Sequence, residues 1–562
     1  MRITNNMMLN TTSSNINGNK LNVNNLNNQM SSQKKIQRPS ENPVIAIRAL
    51  RLRSTLSQIN QYYEKNIPDA QTWLEVTETA FKNMNKILKD VRTQCVTGTN
   101  SYLTADDRST ILKSLTALKS QLYSEGNSDN AGRTVFTGFK TNSQLTFMED
   151  ETDTSYKISQ SFSYKDLGEF TYYSGSVDVP NTVAEVQNTG NISDISKSSF
   201  DRIRLAYDKV DEITNLSYSY GNTEVTFSKQ SATTNPDGSV TYPAEDEFGD
   251  PVLDADGNAV TMTVYDTQKA WEAASADGTK TVGANKLVFI KDAGDLVVGS
   301  SISNDLKSNK AAFTIDYQKT GFEKGELRPE YYYNCSDVSD AANPIDYTKY
   351  DENGNKIYED INYTVALNQT IKVNMQADEV FDMSIYQDVV ELTDSVQAAI
   401  NAHDKVDKLT AMKSEAQYAD YQDEIQEWLD AAQKEADYAD SRLTSLYSAG
   451  IGKFDQYMEK LNVAYTEVGA RGDQLKMTES RMSNQQLTVE QLKSDNEDRD
   501  ISDIIIDYTA AYNAYQASLF ASSKIEKQTL LNYILNSNYS KPFRIIKIDT
   551  SCLYVSSNFY DS

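Results

Sequence analysis

Apolar residues recur at seven-residue intervals toward the C-terminal end of the chain: Tyr447, Phe454, Leu461, Val468, Leu475, Met482 and Val489, with Tyr457, Ala464 and Leu492 at companion positions three residues on. A helix with this period carries one narrow apolar seam, which only another helix can complete. The N-terminal part offers a counterpart, since Ile59, Tyr63, Ala70, Trp73, Ala80, Met84, Ile87 and Val91 follow one another at steps of three, four and seven. Polar companions Arg471, Thr478 and Gln485 interrupt the C-terminal series, as do Gly450, Gly469 and Gly472, each glycine costing about 1 kcal/mol of helix. The pattern predicts long helix-on-helix packing of the two ends, in register with each other or with neighbouring copies.

Between and beyond these seams the texture changes. Residues 1–31 hold eleven asparagines around the spaced apolar positions Leu21, Val23, Leu26 and Met30. Asparagine competes for its own backbone, so this segment is expected to be weakly helical and disordered in a free monomer. Arg38-Pro39-Ser40-Glu41-Asn42-Pro43 marks a boundary, because each proline disfavours helix at the residue before it. Helix is predicted from Val44 to about Tyr63, with a stop and restart at Asn66-Ile67-Pro68-Asp69, then on to about Val96. A further helix follows from Ala105 to about Tyr123, capped by Thr104 and showing Ile111, Leu115, Leu118 and Leu122 on one face.

From Val135 to about Asp382, short runs rich in Val, Thr, Tyr and Phe alternate with the turn pairs Asp237-Gly238, Asp256-Gly257, Asp277-Gly278 and Asn353-Gly354, the signature of antiparallel hairpins. One helix is expected within this region, around Phe200 to Leu216. Helix resumes from about Val389 to Tyr447, kinks near Gly450-Ile451-Gly452 and runs to about Lys493. After the acidic run Asp495 to Asp500 comes a last seam, Ile501, Ile505, Tyr508, Tyr512, Tyr515 and Leu519, whose tyrosines suit an interface with both apolar and polar partners. The fold class read from this order is α+β: long terminal helices paired as a coiled-coil-like bundle around a central antiparallel β-rich domain.

Charge and chemistry narrow the function. A net charge of −26 argues against nucleic acid, which demands clustered Lys and Arg, and against anionic membrane surfaces. Three scattered cysteines, Cys95, Cys335 and Cys552, make neither a CxxC pair nor a disulfide framework, and the single histidine His403 argues against multi-histidine zinc chemistry and a Ser-His-Asp triad. His403 is read as a surface residue, and Tyr331-Tyr332-Tyr333 as a packed strand rather than a sugar platform. Asp254-Ala255-Asp256-Gly257-Asn258 lacks the later ligands of a calcium loop and is read as a hairpin turn. No phosphate-cradling glycine motif occurs. The expectation is therefore a chain with no catalytic, cofactor or metal site. The first residues have no apolar signal-peptide core and no stretch is long and apolar enough for a membrane span, so no membrane insertion is expected.

Specific residues also carry a resemblance. MRITNN, Arg38 to Pro43, Val91-Arg92 within Leu88 to Val96, and Asn130-Ala131-Gly132-Arg133-Thr134-Val135-Phe136-Thr137-Gly138-Phe139-Lys140-Thr141 resemble the N-terminal region of the bacterial flagellin superfamily. Glu497-Asp498-Arg499-Asp500-Ile501, Ala511 to Leu519 and Gln528-Thr529-Leu530-Leu531-Asn532-Tyr533-Ile534 resemble its C-terminal region. Gly132 to Thr141 and the Leu530 to Tyr533 ending are closer to the hook-associated protein 3 branch, which forms the hook-filament junction, than to filament flagellins. Two departures stand out: Glu41-Asn42 replaces the usual acidic pair, and Leu535 to Ser562 extends beyond the usual ending as an atypical tail.

The resemblance implies a non-enzymatic structural subunit, exported unfolded through the flagellar channel without a cleaved signal peptide to an extracellular location. Implied partners are copies of itself in a ring, neighbouring hook-associated and flagellin subunits, and an export chaperone on the C-terminal helix at about Ile501 to Leu531. The implied segments are 1–43 and 495–534 for an inner helical layer, 44–140 and 389–494 for a helical rod, and 141–388 for an outward β-rich domain. The seam residues Leu21, Val23, Leu26, Met30, Ile59, Tyr63, Trp73, Met84, Ile87, Val91, Leu461, Val468, Leu475, Met482, Val489, Ile505, Tyr508, Tyr512, Tyr515 and Leu519 are the candidate assembly interface. A filament flagellin, and a surface adhesin or enzyme with a helical stalk, remain as alternatives.

Overall fold

The computed structural model describes residues 5–100, 103–220, 223–228, 232–253, 257–274 and 282–526. Its contacts divide into two compact units, one drawn from residues 1–61 and 482–562, the other from residues 62–481.

The larger unit is organised on the helix Ile67–Gly98, which Pro68 opens in its first turn. Ile67, Ala70, Leu74, Thr77, Phe81, Met84, Leu88, Val91, Cys95 and Gly98 are buried at strictly alternating steps of three and four, and Trp73, Ala80 and Ile87 widen the stripe. Facing it is the helix Gln422–Glu497, whose heptad residues Tyr447, Phe454, Leu461, Val468 and Leu475 are fully buried. Polar pairs fix the register along the seam edges. Arg92 donates through Nε to Asp455 at 2.6 Å, Tyr465 donates its hydroxyl proton to Glu78 at 3.0 Å, and Gln71 donates to Glu479 at 2.7 Å.

Glycines matter at the upper end of this seam. A Cβ on Gly98 would lie 2.3 Å from the ring of Tyr447, and one on Gly450 would lie 3.3 Å from Cys95 Sγ. Gly450 is thus a close-approach residue and not the kink expected from the sequence; the helix runs unbroken through Gly450, Gly452, Gly469 and Gly472. The break comes earlier, between the helix Ser384–Lys413 and Gln422, at a 3₁₀ turn Ala416–Tyr418. Gln422 closes it by donating to the carbonyls of Lys413 and Tyr418, and Tyr418 packs with Val186 and Ile425. No Gly or Pro marks that turn, which is why the pattern gave no sign of it. The helix Ala105–Gln121 begins, as expected, at Thr104, in a reciprocal capping box with Asp107.

The central domain is one large sheet. Among the described residues its strands run in the order Ile345–Tyr347, Asn334–Asp337, Glu151–Ser163, Ala312–Phe322, Glu212–Tyr220, Thr223–Ser228, Val240–Glu245, Thr261–Tyr265, Lys286–Ile290, Asp295–Val298, Ser196–Arg204 and Gly168–Ser174. Pairing is antiparallel except where Thr261–Tyr265 runs parallel to Lys286–Ile290 across a crossover holding the short helix Gln268–Ala273. The helix expected over Phe200 to Leu216 is instead two strands separated by a turn, in which Lys209 takes a left-handed φ of 50°. Ile213, Leu216 and Tyr218 enter the sheet core across a register shift opposite Asp316 and Tyr317, so cross-strand pairing overrides a spacing that also fits a helix. Gly238 and Gly354 hold positive φ in the expected turns; the Asp254 to Asp256 stretch and Asp277-Gly278 lie outside the described residues.

Tyr331 and Tyr332 are buried, but on a 3₁₀ turn Pro329–Tyr331 rather than in a strand. His403 is partly buried, its Nε2 lying 3.0 Å from Asp440 Oδ2, so it is not the free surface residue expected. Cys95 and Cys335 are buried free thiols, and burial pushes the Cys95 thiol up to about 12.

Charged residues join the sheet to the helices. Arg202 contacts Asp295 at 2.9 Å and Glu391 at 3.1 Å, while Arg204 contacts Glu391 at 3.0 Å and also pairs with Asp388. Asp388 further accepts from Lys453 at 2.9 Å and from the Tyr457 hydroxyl at 2.8 Å. Burial alone would raise the Asp388 and Glu391 carboxyls, but the surrounding arginines and Lys453 outweigh it and hold both below their ordinary values.

The close approach at the seam yields a test. Gly98→Ala should drive a methyl into the buried Tyr447 ring and destabilise the larger unit by about 1–3 kcal/mol, the usual cost of overpacking. Gly452→Ala, with nothing within 4 Å of its added Cβ, should not destabilise it. Urea denaturation of the two variants against the parent measures the difference.

Candidate assembly interface

The smaller unit contains no sheet among its described residues. Its helices are Asn5–Ser32, Pro43–Gln61, the end of Gln422–Glu497, and Ile501–Glu526. The asparagine-rich N-terminal segment is helical over its described length rather than disordered, and the reason is tertiary: it lies against Ile501–Glu526. Leu9, Thr12, Ile16, Asn19, Val23, Leu26 and Met30 are half-buried at alternating steps of three and four. On the C-terminal helix Ile504 is fully buried, and Tyr508, Ala511, Tyr515, Ser518 and Ser522 are half-buried at the matching spacing. Asn19 also donates to the Ala514 carbonyl at 3.4 Å.

This seam differs from the one expected. Val23, Leu26, Met30, Tyr508 and Tyr515 are in it, whereas Leu21 is 62% exposed and Ile505, Tyr512 and Leu519 are 47%, 42% and 43% exposed. The C-terminal helix is apolar around most of its circumference, with Ile504, Ile505 and Ile506 in succession and Leu519 beside Phe520. Two apolar stripes therefore share one helix, and periodicity alone cannot say which one the chain uses for itself. The stripe left over includes Ile506 at 65% and Phe520 at 72% exposure, and the helix Pro43–Gln61 likewise leaves Val44, Ile47 and Leu50 exposed.

The remaining candidate residues lie inward. Ile59, Trp73, Met84, Ile87, Val91, Leu461, Val468, Leu475 and Met482 are buried within the chain itself, and Tyr63 and Val489 are half-buried.

A polar clamp missed in the sequence pins the two links of this unit together. Gln33 adopts φ 55°, and the backbone N–H of Lys35 donates to the Glu497 carbonyl at 2.7 Å while that of Arg499 donates to the Gln33 carbonyl at 3.0 Å. The buried Glu497 carboxylate accepts both Nε and Nη2 of Arg53, at 2.8 and 2.6 Å. Lys34 pairs with Asp498, Arg499 donates to Gln29 at 2.7 Å, and Asn496 donates to the Ile45 carbonyl at 3.1 Å. The available signal was the basic pair Lys34-Lys35 set against the acidic run Asp495 to Asp500. The Arg53 hydrogen bond holds the Glu497 carboxyl below its ordinary value, and Lys34 does the same for Asp498.

A depressed carboxyl stabilises the fold fully above its unfolded value, and that contribution is lost as pH falls through the folded one. The protection of the Lys35 and Arg499 amides, taken relative to their intrinsic exchange rates at each pH, should therefore fall on acidification below about pH 4, the ordinary carboxylate range. Glu497→Gln should raise exchange already at neutral pH, by about 1.5–3 kcal/mol of lost charge-assisted bonding, and should flatten the acid dependence.

Among the described residues no group of three or more His, Cys, Asp or Glu is placed to hold a metal ion, and no helix is long and apolar enough to cross a membrane. Residues 3–141 match the family described as the bacterial flagellin N-terminal helical region. The flagellar hook-associated protein 3 of Salmonella typhimurium is 29% identical over 142 residues, which is 25% of this chain and 44% of that protein. The protein of the same name from Escherichia coli is 28% identical over 114 residues, 20% of this chain and 36% of its own length. The matched region thus spans less than half of these curated relatives. A crystal structure of flagellar hook-associated protein 3 from Legionella pneumophila aligns over 78% of this chain and 96% of its own at 10% identity, with a TM-score of 0.27. Over residues 3–141, about a quarter of its length, this chain is thus similar to the N-terminal helical region of bacterial flagellins.

Proposed function

We propose that the protein is a non-enzymatic structural subunit of the bacterial flagellum, placed at the junction between hook and filament and assembled through its terminal helices. The observation that carries this reading is the uncovered apolar stripe of Ile501–Glu526. The chain buries one stripe of that helix against Asn5–Ser32 and leaves Ile505, Ile506, Tyr512, Leu519 and Phe520 to solvent. Such a surface on a soluble chain calls for a partner. Neighbouring copies in a ring, with hook-associated and flagellin subunits above and below, are the partners we assign to it. The names of the curated relatives support the junction rather than the filament.

In this reading residues 1–43 and 495–534 form an inner layer and residues 44–140 and 389–494 a helical rod. Residues 141–388 face outward. The subunit leaves the cell unfolded through the flagellar export channel and works outside it. An export chaperone covers the C-terminal helix beforehand, shielding the apolar stripe that assembly later buries. The end of that binding segment, after Glu526, lies outside the described residues.

Because Leu519 is exposed in the single chain, Leu519→Asp should leave the thermal unfolding of the monomer within about 0.5 kcal/mol of the parent, as surface changes do. It should nonetheless block junction assembly, since a charge buried without a partner in the assembled seam costs several kcal/mol. Normal junctions built by this variant would remove the stripe from the interface. Immunogold microscopy of intact flagella with antibody to residues 141–388 tests the location. A single short band where hook meets filament is expected, whereas label along the filament would make the protein a flagellin.

A further inference from the structure

A cavity of about 360 Å³ lies between the sheet and the helix Ser384–Lys413, within the larger unit. That volume is in the range of small-molecule sites. Its walls combine apolar side chains, among them Ala206, Leu327, Met383 and Val390, with the rings of Tyr207 and Tyr386.

Its charges are unbalanced. Six carboxylates line it, from Asp208, Asp292, Asp295, Glu326, Glu391 and Asp394, against the guanidiniums of Arg202, Arg204 and Arg442. Arg202 and Arg204 are engaged, each bound to Glu391 and also to Asp295 or Asp388, while Arg442 stands 3.9 Å from Glu391 with its Nε buried and without a hydrogen-bond partner. An anion binding Arg202 or Arg204 would have to displace those carboxylates. Lys319 stands 3.8 Å from Asp208 and 4.0 Å from Glu326, leaving Asp292 and Asp394 in no ion pair among the described residues. Both line the cavity and are exposed to solvent, one from the turn before the strand Asp295–Val298 and one from the helix Ser384–Lys413, and partial burial holds both carboxyls above their ordinary value. Deeper in, Asp295 Oδ1 and Ser395 Oγ are buried with no hydrogen-bond partner, although Asp295 is only 3% and Ser395 4% exposed. Buried polar atoms of native proteins are almost always paired, so these two ask for a donor from a bound molecule.

We propose that this cavity binds a small organic amine, its ammonium group held by Asp292 and Asp394 and its apolar body lodged between the sheet and the helix. None of its lining residues belongs to Asn5–Ser32 or Ile501–Glu526, so the proposal does not rest on the assembly reading. It would give the larger unit a ligand-binding function of its own.

The test uses the full-length monomer and two probes of the same size and opposite charge, phenethylammonium and phenylacetate, titrated by calorimetry and by protein NMR. Phenethylammonium is expected to bind with a Kd of about 1 mM or tighter, and phenylacetate at least ~10-fold more weakly. The double variant Asp292→Asn, Asp394→Asn removes only solvent-reachable charges and should cut phenethylammonium affinity ~10-fold or more, about 1.4 kcal/mol. Equal binding of both probes would overturn the proposal. So would no binding of phenethylammonium at about 10 mM, or unchanged affinity in the double variant.

Discussion

The structure depends on the meeting of two helices far apart in sequence. Arg92 and Asp455 are separated by 363 positions, yet they close a hydrogen-bonded pair beside a seam in which Gly98 admits the ring of Tyr447. The entropy of closing so long a loop grows only logarithmically, by about 0.6 kcal/mol per doubling of its length. A large insertion between the two helices is therefore tolerated by the stem's stability, while its contacts, being long in sequence, slow folding. This explains how one chain can carry a thirteen-strand sheet on a stem of paired helices.

Buried ion pairs join that sheet to its helices, beside the apolar cluster in which Val177 and Ile195 pack against Leu409, Trp428 and Ala432. Asp388 is buried and Arg202, Arg204 and Glu391 are largely so, and such clusters add little net stability over apolar packing because the charges must first leave water. Their bonds are directional, and removal of one partner leaves another buried and uncompensated. The cluster thus fixes the angle at which strand Ser196–Arg204 meets helix Ser384–Lys413 more than it glues them.

The long seams were the legible part of the chain. Heptad spacing located Phe454, Leu461, Val468 and Leu475 in the core, and the turn pairs located the hairpins at Gly238 and Gly354. Errors fell where one local pattern admits two structures. Gly450 reads as a breaker but serves as a gap for Cys95, and the spacing from Phe200 to Leu216 fits a helix until cross-strand neighbours decide otherwise. The expected terminal stripe shares Tyr508 and Tyr515 with the seam the chain buries but has Ile505, Tyr512 and Leu519 where the chain uses Ile504, Ala511 and Ser518, since Ile504 and Ile505 are equally apolar and only the partner helix distinguishes them. Thr12 and Asn19 hid the N-terminal seam, because polar residues in heptad positions look like solvent-facing ones. The clamp around Glu497 combines backbone groups with side chains from three segments, and no linear motif records such a meeting.

Cys95 sits at a close approach in the seam for a chemical reason as well as a steric one. Its sulfur lies against Gly450, sealed from solvent, and its proton is held so firmly that almost no thiolate exists at neutral pH. Cys335, on the strand Asn334–Asp337, is equally enclosed. A folded chain therefore keeps both sulfurs chemically silent in an oxidising medium, and an extended one exposes both. Alkylation at these two positions would record the time each molecule spends open, making the pair a built-in clock for passage between the unfolded and the folded state.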